Sequence, residues 1–317
     1  MAARRPSHRV IDLAGEELLQ LPEVFLPQRK EPLSNGTEIQ KTVKIDGEMS
    51  GLFRLLHHAQ VYDLAQPYFA GMPHFPAHPP FLFGLTKKHG DLVGPGDVSS
   101  SADSIALGGH VGTHIDALSH FSRAGKMHGG VEVEAIQSYA DGIHELDIAS
   151  VPPILRRGVL LDIAGAFAGA DVLAVNFAIT PEHLETACVR QKVEVLPGDV
   201  VLLRTGWAQF WHDPRRYITG GSGSQAACPG PELAAARWLS SRGIYATGSD
   251  TIAFERVPDP AMPVHVHLLV ESGIYIMEAL NLEELARERC YEFLFIAAPL
   301  KIQGGTGSPI RPIAVVT

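Results

Sequence analysis

Short apolar runs recur along the second half of the chain. Each is four to eight aliphatic or aromatic residues long and is bounded by Gly, Asp or Pro; the clearest are RGVLLDIAG, GDVVLLRTGW, GIYIMEAL and YEFLFIAAPL. Runs of this length and composition are typical of buried β-strands. The pattern therefore predicts a sheet whose strands are covered on both faces.

Helical patterns lie between these runs. TPEHLETACVRQK places Thr180 as N-cap and Pro181 at the first helical position, and NLEELARERC is a further candidate. GPELAAARWLSSRG predicts a helix that starts at Pro231 and stops at Gly243. Because strand and helix alternate without a linker, we predict a single α/β domain.

The first part of the chain has a different character. Residues 1–55 are mixed and polar, and we predict an N-terminal extension there, with the domain spanning residues 56–317. An irregular segment follows at the start of the domain, because its prolines break regular structure. These prolines are Pro67, Pro73, Pro76, Pro79 and Pro80.

Charge and composition exclude several classes of partner. The net charge is −9, from 26 basic and 35 acidic residues without a long block of either sign, which argues against nucleic acid. No apolar run approaches the roughly 20 residues of a membrane span. The three cysteines are far apart, a pattern that favours reduced thiols and a cytoplasmic protein.

The densest chemistry lies in GGHVGTHIDALSHF, which holds His110, His114, Asp116 and His120. Its glycines disfavour a helix through the first two histidines, and Gly112 allows a close backbone approach. In extended chain His114 and Asp116 point the same way. Asp116 also suits the N-cap of a helix whose first turn would carry His120 to the same side. One loop can therefore aim all four side chains at one point.

This set of side chains suits a divalent metal. Two imidazoles and a carboxylate can hold Zn, Mn or Fe with positions left open, and a bound ion lowers the pKa of water toward neutrality. His120 is then placed to move a proton. A non-haem Fe(II) oxygenase with His110, His114 and Asp116 as a facial triad is an alternative, as is a metal-binding scaffold without catalysis.

Other candidates are open to more than one interpretation. Four residues of the proline-rich segment could form a substrate lid whose aromatic rings stack on a planar substrate, or could simply pack the loop: His74, Phe75, His78 and Phe81. Asp250 is expected to cap the turn that follows it, and Arg204 to form a structural ion pair at least as readily as it binds a carboxylate. Cys228 has no nucleophile signature around it, which favours a packing role.

His110-Val-Gly-Thr-His114-Ile-Asp116-Ala-Leu-Ser-His120 resembles the H-x-G-T-H-x-D-x-x-x-H signature of the cyclase family of metal-dependent hydrolases, which includes kynurenine formamidases and isatin hydrolases. Later blocks such as YATGSDTIAFE and HVHLLVESGIYIMEAL are also similar to the family, and the similarity covers roughly residues 60–317. The resemblance implies a swivelling β/β/α fold, usually assembled as a homodimer or homotetramer.

The resemblance also implies roles for individual residues. His110, His114 and Asp116 would bind the metal, Mn²⁺ or Zn²⁺, and His120 would donate and accept protons. In the formamidases a further His and Glu bind a second zinc, which carries over to His265 and Glu278, with His267 as a rival to His265. In the isatin hydrolases, which use one manganese, the equivalent histidine faces substrate.

The implied activity is hydrolysis of a C–N bond in a cyclic or N-acyl aromatic amide. The later blocks are most similar to the isatin-hydrolase branch, so an isatin-like lactam is the first substrate expectation and kynurenine formamidase the alternative. Leu118, Phe75 and His128 stand where formamidases usually carry other residues. These departures favour a substrate other than N-formylkynurenine.

Overall fold

Residues 47–167 and 171–317 are described by a computed structural model of the chain. Residues 1–46 of the predicted N-terminal extension lie outside the described residues, and a helix that begins at Gly47 overlaps its end. Residues 49–317 form one compact unit. Within the described residues, no helix is long and apolar enough to cross a lipid bilayer.

The described residues form seventeen strands. They are β1 Gln60–Asp63, β2 Leu82–Lys87, β3 Val93–Gly94, β4 Val98–Ser99, β5 Ala102–Ala106, β6 His114–Asp116, β7 Gln137–Ser138, β8 Gly142–Ile143, β9 Ile154–Asp162, β10 Ala178–Ile179, β11 Val200–Arg204, β12 Gly230–Pro231, β13 Ala246–Ser249, β14 Tyr275–Glu278, β15 Glu292–Ala297, β16 Gly307–Pro309 and β17 Ile313–Val316.

The helices of the described residues lie mainly in the second half of the chain. They are α1 Gly47–His58, α2 Ile163–Phe167, α3 Pro181–Gln191, α4 Pro214–Thr219, α5 Leu233–Ser241, α6 Pro263–His265 and α7 Glu283–Arg287. A π-helical segment, Val266–Ser272, continues α6. Short 3₁₀ turns occupy His128–Gly130, Ile148–Ser150 and Trp207–Phe210.

Nine strands form one mixed sheet in the order β1-β17-β15-β9-β11-β13-β14-β6-β16. The four central strands, β9, β11, β13 and β14, run parallel, and the strands added at each side run antiparallel. The remaining strands make small two-stranded sheets: β2 with β5, β3 with β4, β7 with β8 and β10 with β12. The prediction of an α/β fold is confirmed.

The main sheet is buried on both faces. Because successive side chains point to opposite faces of a strand, Val159 and Leu161 of β9 join one apolar cluster and Leu160 joins another. Helices α3 and α5 pack in the first cluster, and Leu285 of α7 packs in the second. This double coverage explains why the strand sequences are almost continuously apolar.

All four predicted strands form, as β9, β11, β14 and β15, and the first predicted helix has Thr180 as N-cap and Pro181 as its first residue. Two local expectations are wrong. Helix α5 begins at Leu233, because Pro231 pairs with Ile179 in the small parallel sheet. Asp116 ends β6 and does not cap a helix, since the residues after it form a turn in which His120 N–H donates to the Ala117 carbonyl.

The segment 66–81 forms an irregular arm, as its prolines predict. It is anchored by Gln66, whose N–H donates to Thr113 Oγ1 at 2.8 Å, and by Trp211, whose Nε1 donates to the Pro67 carbonyl at 2.9 Å. Met72 and Phe81 of the arm are buried in a third apolar cluster. The arm is therefore a packed part of the fold.

Candidate functional site

Strand β6 places two of the predicted ligands at the centre of the site. It lies between β14 and β16 and is hydrogen-bonded to both, with His114 opposite Glu278 and Asp116 opposite Ile276. Because residues two apart in a strand share a face, His114 and Asp116 point to the same side, as predicted. Both side chains are almost fully buried, at 3% and 1% exposure.

The loop before β6 is tightly fitted around glycine. Gly112 has a φ of +71°, and a Cβ there would collide with the Tyr68 ring. The Tyr68 hydroxyl lies 3.0 and 2.8 Å from the carbonyl oxygens of Val111 and Thr113. The Gly112 carbonyl accepts a hydrogen bond from His114 Nδ1 at 2.8 Å, which leaves the Nε2 atom of His114 facing the site.

His110 approaches Asp116 from this loop. Its Nδ1 lies 2.6 Å from Asp116 Oδ1, and its Nε2 lies 2.9 Å from Thr306 Oγ1. A Cβ on Gly307 would collide with the His110 ring, so glycine at that position makes room for the imidazole. The pKa of Asp116 is held well below its usual range because the imidazoles of His120 and His110 outweigh the opposing effect of burial.

The turn after β6 brings His120 over the site. Its ring stacks on that of His110 with centroids 3.7 Å apart, and it meets Phe121 edge-on at 4.9 Å. Burial lowers the pKa of His120 to about 3, against the opposing charge of Asp116. His120 is therefore a neutral imidazole at pH 7, able to accept a proton at a ring nitrogen.

A second group of side chains meets Asp116 from the other side. His265 Nε2 lies 3.1 Å from Glu278 Oε1 and 4.0 Å from Asp116 Oδ2. Burial acts to lower the pKa of His265, but Glu255 and Glu278 outweigh it and raise the pKa to about 10. The Phe254 N–H donates to Glu278 Oε1 at 2.7 Å, which fixes that carboxylate.

Two buried polar atoms at the centre have no hydrogen-bond partner among the described residues: His114 Nε2 and Asp116 Oδ2. His114 Nε2 lies 3.5 Å from Asp116 Oδ1 and 3.4 Å from Glu278 Oε2. Unpaired groups this deep cost free energy unless a cation or a proton joins them. Imidazole nitrogens and carboxylate oxygens are the donor set that zinc and manganese accept, so these residues fit a divalent ion.

The ligand atoms fall into two overlapping groups. His110, Asp116 and His120 have donor atoms within 4.8 Å of one another, as do Asp116, His265 and Glu278. Asp116 belongs to both groups. This geometry can accommodate one cation, or two cations that share the Asp116 carboxylate.

The structure distinguishes His265 from its rival His267. His267 Nε2 lies 2.8 Å from Ser240 Oγ and its Nδ1 lies 2.8 Å from Glu271 Oε2, so its ring is held at the partly exposed side of the helix. Only His265 of this pair faces Asp116 and Glu278.

Several other candidates have structural partners. Arg204 is buried between Asp162 and Glu283, each 2.8 Å away, which confirms the expected ion pair. Asp250 accepts hydrogen bonds from Thr205 and Gly206 after the neighbouring strand β11, so the expectation that it caps its own following turn is wrong.

Cys228 and His128 also lie in packed surroundings. Cys228 is buried in the third apolar cluster, in keeping with the packing role expected of it. His128 Nδ1 lies 3.0 Å from the Val270 carbonyl, which ties it to the π-helical segment.

The arm contributes to the site through His78. Its Nδ1 lies 3.1 Å from the His110 carbonyl, and its ring lies 5.3 Å from the His110 ring and 6.3 Å from the His120 ring. Phe75 packs 5.8 Å from His78, so it borders the site through that histidine. The Nδ1 atom of His74 lies 3.0 Å from the Phe75 carbonyl.

Sequence reasoning missed Glu255 and Thr306, whereas His78 was among the candidate residues of a substrate lid. Glu255 is 2% exposed and contacts His265, while Thr306 contacts His110. The one available signal was the pair of charges Glu255 and Arg256 after the largely apolar stretch TIAF, where a buried carboxylate needs a partner. Thr306 lies in a glycine-rich stretch that carries no such signal.

Several known proteins are similar to this chain. An isatin hydrolase of Roseibium aggregatum is 28% identical over 216 residues, which are 67% of this chain and 73% of that protein. A kynurenine formamidase of Bordetella petrii is 25% identical over 256 residues, 80% of this chain and 97% of that protein. A crystal structure described as a novel cyclase matches with a TM-score of 0.75 and 34% identity, over 84% of this chain and 90% of that one.

The sequence profile of the family described as putative cyclase matches residues 62–256, which is more than half of the chain and includes the His110–His120 stretch. The mixed sheet, the buried histidine and carboxylate cluster and this match agree, and the chain belongs to the cyclase family.

Proposed function

We propose that the protein is a metal-dependent hydrolase that cleaves the C–N bond of a small cyclic or N-acyl aromatic amide. The observation that carries the proposal is the pair of unpaired buried atoms, His114 Nε2 and Asp116 Oδ2, with His120 stacked beside them. A site of this kind is suited to a divalent cation and to proton transfer at adjacent positions.

His110, His114 and Asp116 are the ligands in this proposal, with Mn²⁺ or Zn²⁺ as the ion. His265 and Glu278 hold a second ion or contact the substrate. A cation bound here makes water more acidic and polarises a carbonyl oxygen. His74 and Phe75 contact the substrate in this proposal, which is supported by the packing of Phe75 against His78 in the arm.

His120 moves the proton. Water adds to the carbonyl carbon, a ring nitrogen of His120 accepts the proton that water loses, and the same nitrogen returns it to the departing amine as the C–N bond breaks. The products are a carboxylate and an amine. The ring of His120 is held for this exchange by stacking on His110.

An isatin-like lactam is the first substrate choice and N-formylkynurenine the alternative. The named relatives, an isatin hydrolase and a kynurenine formamidase, support both. The oxygenase alternative is not favoured, because it calls for a double-stranded β scaffold and the parallel strands and helices here form an α/β fold. A homodimer or homotetramer, and a cytoplasmic location, remain predictions, the first to be tested by analytical ultracentrifugation.

The experiment compares wild type with His120→Ala, following the loss of isatin absorbance and, separately, of N-formylkynurenine, with Mn²⁺ or Zn²⁺ supplied. Removing a general acid–base group typically lowers kcat about 10²–10⁴-fold. His89→Ala is the control, because His89 is exposed and contacts only Ser99 among the hydrogen bonds of the described residues. Equal rates in wild type and His120→Ala would remove His120 from the mechanism.

A further inference from the structure

A buried carboxylate lies behind the His265 ring. Glu255 is 2% exposed, and its Oε2 accepts hydrogen bonds from His265 Nδ1 at 2.6 Å and from the His265 backbone N–H at 3.0 Å. Its Oε1 is reached by the Val264 N–H at 3.4 Å. A carboxylate this deep is retained only where such partners satisfy it.

The two nitrogens of His265 face different groups. Nδ1 points to Glu255, while Nε2 points to Glu278 Oε1 at 3.1 Å and toward Asp116 Oδ2 at 4.0 Å. A neutral imidazole that donates from Nδ1 presents a lone pair at Nε2. That lone pair then faces two carboxylates, an arrangement that is favourable only with a positive charge between them.

We propose that Glu255 is a positioning residue that fixes His265 in its Nδ1-protonated form and strengthens it as a ligand for a divalent cation. This inference rests on the proposed function in the form in which His265 and Glu278 hold a cation together with Asp116. A carboxylate behind a ligating histidine orients the ring and increases the basicity of its other nitrogen. Glu255 lies on the far side of the ring from Asp116 and Glu278, so it acts through His265.

His114 offers an internal comparison. Its Nδ1 donates to the carbonyl of Gly112 at 2.8 Å, which also leaves Nε2 facing the cluster. The carbonyl fixes the ring but carries no net charge. The structure therefore gives one candidate ligand a neutral acceptor and the other a charged one.

The residue before Glu255 acts on the same group of ligands. The Phe254 N–H donates to Glu278 Oε1 at 2.7 Å. Consecutive residues after β13 thus hold His265 through a side chain and Glu278 through the backbone. A change at Glu255 is therefore expected to alter the positions of both His265 and Glu278.

Glu255 also stabilises the start of α6, because it accepts from the N–H groups of Val264 and His265. A purely structural role would change the stability of the fold and leave cation affinity unchanged. The proposal predicts that the affinity for the cation falls when Glu255 is changed, so binding of the ion is the deciding measurement.

The experiment titrates Mn²⁺ and Zn²⁺ into chelator-stripped wild type, Glu255→Gln, Glu255→Asp and Glu283→Gln by calorimetry. Loss of the carboxylate behind a ligand weakens binding about 10–100-fold, and we expect that change in Glu255→Gln. Glu255→Asp keeps the charge and should recover part of the affinity. Glu283→Gln removes a carboxylate that pairs with Arg204 instead, and should bind as wild type does.

A second measurement reads the histidine directly. Nitrogen NMR of labelled, Zn²⁺-loaded protein shows which imidazole nitrogen carries the proton, and we expect His265 to be protonated at Nδ1 in wild type and to lose that preference in Glu255→Gln. Far-UV circular dichroism checks folding, and Glu255→Asp carries the test if Glu255→Gln does not fold. Equal cation affinity in wild type and Glu255→Gln, or protonation of His265 at Nε2, would overturn the role of Glu255. Wild type that binds neither ion would instead refute the proposed function itself, an outcome distinct from equal binding by wild type and Glu255→Gln.

Discussion

Two histidines close together in the sequence have different surroundings in the structure. His265 and His267 are two residues apart, so they point to different sides of the chain segment that begins with α6. His265 is 3% exposed and meets the carboxylate cluster, whereas His267 is held by Ser240 and Glu271. The difference arises from tertiary packing, so the local sequence HVH does not predict which histidine faces the site.

This difference gives a paired prediction. His265→Ala should weaken Mn²⁺ binding about 100-fold, since removing a ligand costs at least as much as removing the group behind it. His267→Ala should bind Mn²⁺ as wild type does, because its partners lie outside the cluster. Equilibrium dialysis with elemental analysis measures both variants. Equal losses in the two variants would contradict the assignment of His265.

At the scale of elements, one buried arginine with two carboxylates links two strands of the main sheet to a helix. Arg204 at the end of β11 donates to Asp162 at the end of β9 and, through two nitrogens, to Glu283 at the start of α7. Burial acts to lower the pKa of Arg204, but the two carboxylates outweigh it and raise the pKa above its usual value. Three elements therefore depend on one guanidinium.

We predict that Arg204→Met destabilises the fold by about 3–5 kcal/mol, the usual cost of leaving a buried charge unpaired. Arg287→Met is the control, because that guanidinium is 65% exposed and its partners Glu284 and Glu288 are 55% and 49% exposed, where a loss of about 1 kcal/mol or less is expected. Urea unfolding followed by circular dichroism gives both values. Similar losses in the two variants would show that burial does not set the cost.

The elements were largely predictable from the sequence, and the contacts between them were not. The apolar runs around Leu160 and Leu202 predicted β9 and β11 because both faces of these strands are covered. The signature from His110 to His120 predicted the centre of the site because its residues are close in sequence and are brought together by local structure. Glu255 meets His265 only through tertiary packing, ten positions further along, and nothing local records that contact.

Local propensity also misled at two places. Asp116 suits a helix N-cap, yet β14 and β16 pair with this segment on both sides and hold it extended. Pro231 suits the first position of a helix, yet it pairs with Ile179 before α5 starts. In both places the partners that override propensity come from distant parts of the chain.

At the scale of the whole molecule, a cation bound among the buried carboxylates would make the stability of the fold depend on the concentration of that cation. Asp116, Glu255 and Glu278 are all buried near His114 and His265. Any ion that binds this folded cluster and does not bind the unfolded chain stabilises the protein by mass action. The melting temperature is therefore a readout of the site that does not require a substrate.

Saturating Mn²⁺ at about 100 times its Kd should stabilise the fold by about 2.7 kcal/mol, which corresponds to a rise in Tm of roughly 5–10 °C for a unit of this size. Asp116→Asn should abolish the rise, because Asp116 belongs to both groups of candidate ligands. Differential scanning calorimetry in chelator and in Mn²⁺ measures the shift. A wild-type Tm that ignores Mn²⁺ and Zn²⁺ would contradict the prediction.

The site draws its side chains from two sources that are fixed by different parts of the fold. His114, Asp116 and Glu278 stand on hydrogen-bonded strands, whereas His78 and Phe75 come from the irregular arm. Arm positions other than Gln66, Tyr68 and His78, which bond to the loop before β6, can thus change without moving the strand-borne groups. We therefore expect exchange of these arm positions between relatives to alter which compound is accepted and to leave the candidate cation ligands in place.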